Sequence, residues 1–114
     1  MTLSQKQALF CQNVALLIQF INSQEGYRCR FDEAFRPKWV AEVYQREGKG
    51  SINSLHIDRL AIDLIVDING VYREDTEAYR FAGTYWKSLH PLNRWGGDFP
   101  SDGNHFSMEH EGRK

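Results

Sequence analysis

The spacing of apolar residues predicts three helices in this chain. The first covers residues 4–23, where apolar side chains recur at helical spacing and Ser4 with Gln7 has the spacing of a capping box. Its apolar face is broad, so we expect this helix to be well buried. A second helix is predicted over residues 38–46, and a third over residues 74–89, where a His-Pro pair ends it.

Alternation of apolar and polar side chains predicts a small set of strands. The clearest is residues 60–68, in which one face is wholly apolar and the other carries Asp63 and Asp67. Asn69-Gly70 then predicts a tight turn. Shorter strands are predicted within residues 27–35, over 71–73 and over 105–108, with a loop over 95–104. This order of elements indicates an α+β fold, a short antiparallel sheet packed with about three helices.

Length and composition are those of one globular domain, residues 1–114. The net charge of −1 lacks the basic field that nucleic acid attracts, so we expect no nucleic-acid partner. No apolar run is long enough to cross a bilayer and no signal peptide is recognisable, so we expect cytoplasmic synthesis without stable membrane insertion. A monomer is expected. Cys11 and Cys29 are interpreted as reduced, partly buried thiols.

Candidate chemistry is concentrated in His56, Asp63, Asp102 and His105. Two His and one Asp supply the three protein ligands typical of catalytic zinc, and a further carboxylate can act as general base. His56 and Asp63 are seven positions apart, so a straight strand would place them on opposite faces and the Gly/Ser loop has to deliver His56. No compact motif is present, so spacing alone leaves two interpretations open: a metal site, or histidines that are hydrogen-bonded at the surface.

Two separated segments carry a more specific pattern. Residues 54–63 read SLHIDRLAID, and residues 94–106 contain RWGGDF and DGNHF. They resemble the SxHxxxxAxD motif and the WGG…DxxHF ending of the D-Ala-D-Ala carboxypeptidase and L-alanyl-D-glutamate endopeptidase family of zinc peptidases. Upstream, EAFRP at residues 33–37 and GKG at residues 48–50 are similar to that family's arginine segment and glycine loop. The resemblance runs from residue 31 to residue 106 and is greatest to the short phage and prophage members that act as lysis enzymes.

This resemblance implies the small fold shared with hedgehog signalling domains and DD-peptidases. It implies zinc as the cofactor, with His56, Asp63 and His105 as its ligands. Asp102 would be the catalytic base, and Arg36 would stabilise the oxyanion that develops on the substrate.

The residues around the motifs receive less specific roles. Ser54 would orient a ligand or the substrate, whereas Trp95 either packs beneath the site or lines the substrate groove. Gly96 and Gly97 are expected to allow backbone conformations that a side chain would forbid. His90 is interpreted as interacting with the dipole at a helix end.

The sequence departs from the family pattern at two positions, and one further histidine lies outside the motifs. Where many family members have Gly this chain has Arg59, and where Glu commonly follows the His-Phe pair it has Ser107. These departures bear on substrate preference, since neither is a ligand position. His110 follows His105 by five residues, so the two cannot face one metal from one strand.

The resemblance therefore implies a zinc metallopeptidase that hydrolyses peptidoglycan stem peptides. The L-Ala–D-Glu bond is the favoured target and the D-Ala–D-Ala bond the next. A phage or prophage lysis enzyme of this kind would reach the cell wall after release by a separate factor. The alternatives are a non-catalytic zinc-containing module that binds peptidoglycan, and a metal-free structural protein. Asp102 favours the enzyme, because a non-catalytic module has no need of a base.

Overall fold

The computed structural model describes residues 1–114 as an α+β fold in which three helices pack with a five-stranded antiparallel sheet. The helices are α1 (Leu3–Ser23), α2 (Lys38–Arg46) and α3 (Arg80–Leu89). The strands are β1 (Tyr27–Phe31), β2 (Ala61–Ile68), β3 (Val71–Arg73), β4 (Asn93–Trp95) and β5 (His105–Met108). Short 3-10 turns lie before α3, at Thr76–Tyr79, and after β4, at Gly96–Asp98. The predicted fold class is confirmed.

The longest strand, β2, holds the sheet together because three other strands pair with it. β1 lies along one edge, with Tyr27 opposite Ile68. The other edge is shared, since β3 pairs with the end of β2 and β5 pairs with its start. β4 completes the sheet beside β5. The turn predicted between β2 and β3 is confirmed, with Asn69 and Gly70 both at positive φ, 51° and 79°.

The core lies between the sheet, α1 and α3. α1 contributes side chains at helical spacing: Phe10, Val14, Leu17 and Ile21. Trp86 of α3 is fully buried, and its indole N–H is shared between the carbonyl oxygens of Arg94 and Ser107, each 3.0 Å away. This bond ties α3 to β4 and β5, the two strands that flank the loop carrying Asp102.

The start of α1 differs from the prediction. The N-cap is Thr2 and not Ser4: the Thr2 hydroxyl accepts from the Gln5 amide at 3.2 Å, and the Gln5 side chain accepts from the Thr2 amide at 2.9 Å. Both Thr2/Gln5 and Ser4/Gln7 satisfy the capping-box spacing. Gln7 is used elsewhere, because its amide donates to the carbonyl of Asp58 at 2.7 Å.

The apolar face of α1 is narrower than predicted. Leu16 is 44% exposed, and Cys11 is exposed rather than partly buried, whereas Cys29 on β1 is half-buried as expected. Only one side of the helix meets the sheet and α3, so apolar residues outside that stripe stay in contact with solvent. No helix in the structure, α1 included, combines the length and apolar character that crossing a membrane requires.

The predicted third helix begins six residues later than expected, at Arg80. The preceding segment is held as a 3-10 turn because Tyr79, only 1% exposed, is tied to the sheet by its hydroxyl, which donates to the Arg73 carbonyl at 2.9 Å and accepts from the Val66 amide at 3.0 Å. β4 was not predicted. Its three residues carry no alternating pattern, and the strand forms only because β5 offers a paired edge.

The contact between α3 and β4 can be tested at Gly83. A Cβ added there would lie 2.2 Å from the Trp95 indole, which is only 1% exposed. We expect Gly83→Ala to lower the free energy of unfolding by about 1–3 kcal/mol in urea melts, because overpacking outweighs the gain in helix propensity. Thr84→Ala, at an exposed position on the same helix, is the control. Equal stability of the two variants would contradict this packing.

Candidate metal centre

The pairing of β2 with β5 places two of the predicted ligands side by side. Asp63 and His105 are directly opposed in the antiparallel ladder. Cross-strand neighbours on one face are close enough for their side chains to touch. His105 Nδ1 accordingly lies 3.1 Å from Asp63 Oδ1, although the two residues are far apart in the sequence.

The third predicted ligand, His56, comes from a turn just before β2, as the spacing required. The turn closes with two hydrogen bonds typical of a Schellman motif, from the Leu60 amide to the Leu55 carbonyl at 3.0 Å and from the Arg59 amide to the His56 carbonyl at 3.3 Å. Ser54 also holds the turn, since its hydroxyl accepts from the His56 amide at 3.1 Å. Ser54 therefore orients the residue predicted as a ligand.

Arg59 occupies the left-handed position of this turn, with φ 57°. Glycine adopts such a conformation without steric cost, so the Gly found there in many members of the resembled family has a physical explanation. In this chain the Arg59 guanidinium lies over the Phe35 ring, 3.8 Å from its centroid. This cation–π contact offsets part of the strain.

A short extended segment after β1 fixes both His56 and Asp63. The Asp63 amide donates to the Glu33 carbonyl at 2.7 Å, and the imidazole Nδ1 of His56 lies 2.8 Å from the Ala34 carbonyl. A carbonyl only accepts, so Nδ1 carries a proton, and in the neutral imidazole Nε2 has a lone pair directed toward Asp63 Oδ1, 3.4 Å away. This tautomer is the one that allows His56 to bind a metal through Nε2.

The donor set fits a zinc ion. Ligand atoms of His56, Asp63 and His105 all lie within 4.8 Å of one another. Tetrahedral zinc with bonds of about 2 Å needs separations of roughly 3.4 Å, and the two distances to Asp63 Oδ1 are 3.4 and 3.1 Å. Three nitrogen and oxygen ligands leave one position free for water or substrate, which is the pattern of catalytic zinc.

Asp102 lies beside the three candidate ligands but is not one of them in this geometry. Its Oδ2 is 4.0 Å from His105 Nδ1, and its side chain is 58% exposed. The loop is closed by the Gly96 carbonyl, which accepts from the amides of Phe99 and Asp102, both at 3.1 Å. Asp102 therefore faces the open side of the site, where a base would act.

The glycines of the WGG segment are required by close contacts and not by unusual dihedral angles. Neither Gly96 nor Gly97 has positive φ, contrary to the expectation from sequence. A Cβ on Gly96 would meet the Asp102 carbonyl oxygen at 2.0 Å, and one on Gly97 would meet the Trp95 indole at 2.2 Å. Any side chain at Gly96 would therefore displace the loop that carries Asp102.

Comparisons with known proteins support the fold. No protein-family model matches this sequence, and no curated protein matches it. Among solved structures, the chain is similar to the L-Ala D-Glu endopeptidase ChiX of Serratia marcescens, with a TM-score of 0.73 and 18% sequence identity. The similarity covers 88% of this chain and 77% of that chain. At this identity the likeness shows a shared fold.

Trp95 packs beneath the site. Its indole N–H donates to the Gly103 carbonyl at 2.7 Å, and the side chain is buried at 1% exposure. Arg80 and Lys87 lie over the ring, with their charged groups 5.3 and 5.7 Å from its centroid. Of the two alternatives left open by the sequence, the structure has the packing position, and Trp95 does not line the pocket.

Arg36 lies at the site and is paired with Glu33, a residue to which the sequence analysis assigned no role. The Arg36 amide donates to the His56 carbonyl at 3.1 Å, while the guanidinium binds both carboxylate oxygens of Glu33, one of them from Nε at 3.2 Å. Glu33 Oε1 is also 3.9 Å from His56 Nε2. The Arg36 Nη1 group makes no hydrogen bond within the protein, and Arg36 lines the pocket described below.

A polar pocket of about 470 Å³ is lined by the three candidate ligands together with Arg36, Ser54 and Asp102. Its lining also includes Phe99, Arg113 and Lys114, to which the sequence analysis assigned no role. Arg113 and Lys114 belong to the polar C-terminal segment of the chain. A larger cavity of about 910 Å³, between the end of α1 and the β2–β3 turn, contains none of the candidate ligands.

The other two histidines, His90 and His110, do not belong to the group formed by His56, Asp63 and His105. His90 accepts from the Leu92 amide at 3.0 Å and follows the last turn of α3, which fits its interpretation as a helix-end residue. His110 Nδ1 lies 3.1 Å from the ammonium of Lys6.

Asp63 and His56 shift each other's pKa. Burial disfavours the ionised form of Asp63, but hydrogen bonds from His105 and His56 outweigh it and lower the pKa of the carboxyl to about 2. Burial likewise opposes the charging of His56, yet Asp63 and the Ala34 carbonyl raise its pKa above the ordinary 6.5. Without a metal, the neighbouring carboxylate thus favours a proton on His56.

We expect the thermal stability of the protein to depend on pH in opposite directions with and without metal. In chelator, the raised pKa of His56 contributes stability below pH 6.5 that is lost as the pH rises through that raised pKa. With zinc, stability should increase over the same interval, because His56 binds metal only when neutral. Melting curves recorded across this range test both slopes.

His56→Gln is the matched variant for this measurement. It should abolish the decline seen in chelator, since the buried imidazole is then gone. Parallel pH profiles for zinc-loaded and chelated wild-type protein would argue against a metal at this site.

Proposed function

We propose that this protein is a zinc-dependent peptidase that hydrolyses a peptide bond in peptidoglycan stem peptides. The observation that carries the proposal is the convergence of His56, Asp63 and His105, with a free carboxylate, Asp102, beside them. The fold shared with an L-Ala D-Glu endopeptidase supports the substrate class and favours the L-Ala–D-Glu bond. The D-Ala–D-Ala bond is the second candidate.

Each residue would contribute a distinct physical effect. A bound zinc would supply Lewis acidity, which polarises water and the peptide carbonyl. Asp102 would accept a proton from the attacking water and pass it to the nitrogen of the leaving amine. Partial burial raises the pKa of the Asp102 carboxyl, which favours its acceptance of the proton from water. Arg36 would donate from Nη1 to the oxygen on which negative charge develops.

The proposed reaction is an ordinary hydrolysis. Water adds across the peptide bond, giving one new carboxylate and one new amine. The resemblance of the motifs to short phage and prophage enzymes supports a role in lysis, with release to the cell wall by a separate factor. These assignments of origin and site of action are part of the proposal.

Replacing the proposed base should separate catalysis from metal binding. We expect Asp102→Ala to lower kcat by about 10²–10⁴-fold while the protein still binds one equivalent of zinc, measured by metal analysis of the dialysed protein. Asp98→Ala is the matched control, because Asp98 pairs with Lys87 at 2.8 Å and does not line the pocket. Loss of zinc from Asp102→Ala would instead make Asp102 a ligand.

The substrate can be identified by mass spectrometry of purified peptidoglycan incubated with zinc-loaded protein, with a chelated sample as control. We expect a new, chelator-sensitive amino terminus on D-glutamate. Loss of only the terminal D-alanine would identify a carboxypeptidase instead. No cleavage by folded, zinc-loaded protein would refute the peptidase and favour the non-catalytic binding module.

A further inference from the structure

The C-terminal residues 109–114 form an ordered hairpin at the edge of the pocket. His110 and Arg113 form an antiparallel bridge, with hydrogen bonds of 3.0 and 2.9 Å between their backbones. Glu111 and Gly112 between them have φ of 50° and 75°, the left-handed pair of a tight hairpin turn. The turn directs the chain back toward the segment that carries His56.

Arg113 anchors this hairpin to the His56 turn. Its guanidinium donates to the Asp58 carboxylate at 2.5 Å and to the Asn53 carbonyl at 3.3 Å, so it binds on both sides of His56 in the sequence. On the other side, the ammonium of Lys6 donates to the Glu109 carbonyl at 3.3 Å. A tail tied down at both ends holds a defined position, unlike a free terminus.

The anchoring leaves one cation of the pocket without a partner. Arg36 is paired with Glu33, and Arg113 is paired with Asp58. Lys114 also lines the pocket, is exposed and makes no ion pair. The proposed mechanism has no use for this ammonium, which pairs with no Asp or Glu side chain of the protein.

Both candidate bonds have a carboxylate close to the scissile nitrogen, and a cation can bind such a group. In the L-Ala–D-Glu bond, the residue that supplies the leaving amine carries a free α-carboxylate, because D-Glu continues the stem through its side chain. In the D-Ala–D-Ala bond, the residue that supplies the amine carries the terminal carboxylate. In each case the negative group sits on the carbon next to the scissile nitrogen.

We infer that Lys114 binds the α-carboxylate of the residue on the amine side of the scissile bond. This inference rests on the proposed function, and it names the feature by which the pocket selects its substrate. Lys114 is a specificity-determining residue, and Arg113 is a positioning residue that holds it at the pocket. Amidation of the α-carboxylate would then weaken binding.

The test is binding of amine-side products, which contain the carboxylate but not the bond to be cleaved. One pair is γ-D-Glu-L-Lys-D-Ala with its α-carboxylate free or amidated, and the other is D-alanine with D-alaninamide. Dissociation constants are measured by NMR titration of the full, zinc-loaded chain. We expect the carboxylate form of at least one pair to bind about three- to fivefold more tightly. The pair that shows the preference identifies the source of the carboxylate.

Three variants assign that preference to the side chain. Lys114→Gln should remove it and Lys114→Arg should retain it. Lys38→Gln, which neutralises an exposed lysine outside the pocket lining, should leave it unchanged. Equal binding of both forms by wild-type protein, or an unchanged preference in Lys114→Gln, would overturn the inference. Neither result depends on hydrolysis, so failure of the proposed peptidase is seen separately in the peptidoglycan digest.

Discussion

The antiparallel register between β2 and β5 is the constraint on which the candidate site depends. It opposes Asp63 and His105, and a shift of one residue would turn one of these side chains to the opposite face of the sheet. The register is held by what packs around it: Phe106 is fully buried beside His105, and Trp86 bonds to the carbonyl of Ser107. The ligand geometry is thus a consequence of core packing.

A second constraint is the free-energy cost of burying the polar side chain of His56 beside these two strands. His56 is only 3% exposed, and its ring is satisfied on one side by the Ala34 carbonyl and, when Nε2 is protonated, on the other by Asp63. Removing one partner would leave a buried polar group unpaired, which is far more costly than the pair is stabilising. The same arrangement directs Nε2 toward the other two candidate ligands. The hydrogen bonds that stabilise His56 in the fold therefore also orient it for metal binding.

Three loops then close the pocket, and each is held by specific hydrogen bonds or close contacts. The Asp102 loop rests on Gly96 and on the buried Trp95, the arginine segment is hydrogen-bonded to the His56 turn, and the C-terminal hairpin is anchored through Arg113. None of these loops belongs to the regular sheet. Their positions follow from specific hydrogen bonds and close approaches, which makes single glycine and arginine residues disproportionately important.

The sequence by itself determined the elements whose pattern is local. The apolar face of β2, the Asn-Gly turn and the three helices follow from residue spacing, and the motif residues around His56 and His105 identified the candidate ligands. The tertiary structure decided what depends on partners distant in the chain. These are the delayed start of α3 at a tethered Tyr79, the strand β4, the burial of Trp95, and the return of Lys114 to the pocket. Periodicity reports which face of an element is apolar, whereas pairing edges, close glycine contacts and long-range ion pairs exist only once the chain has folded.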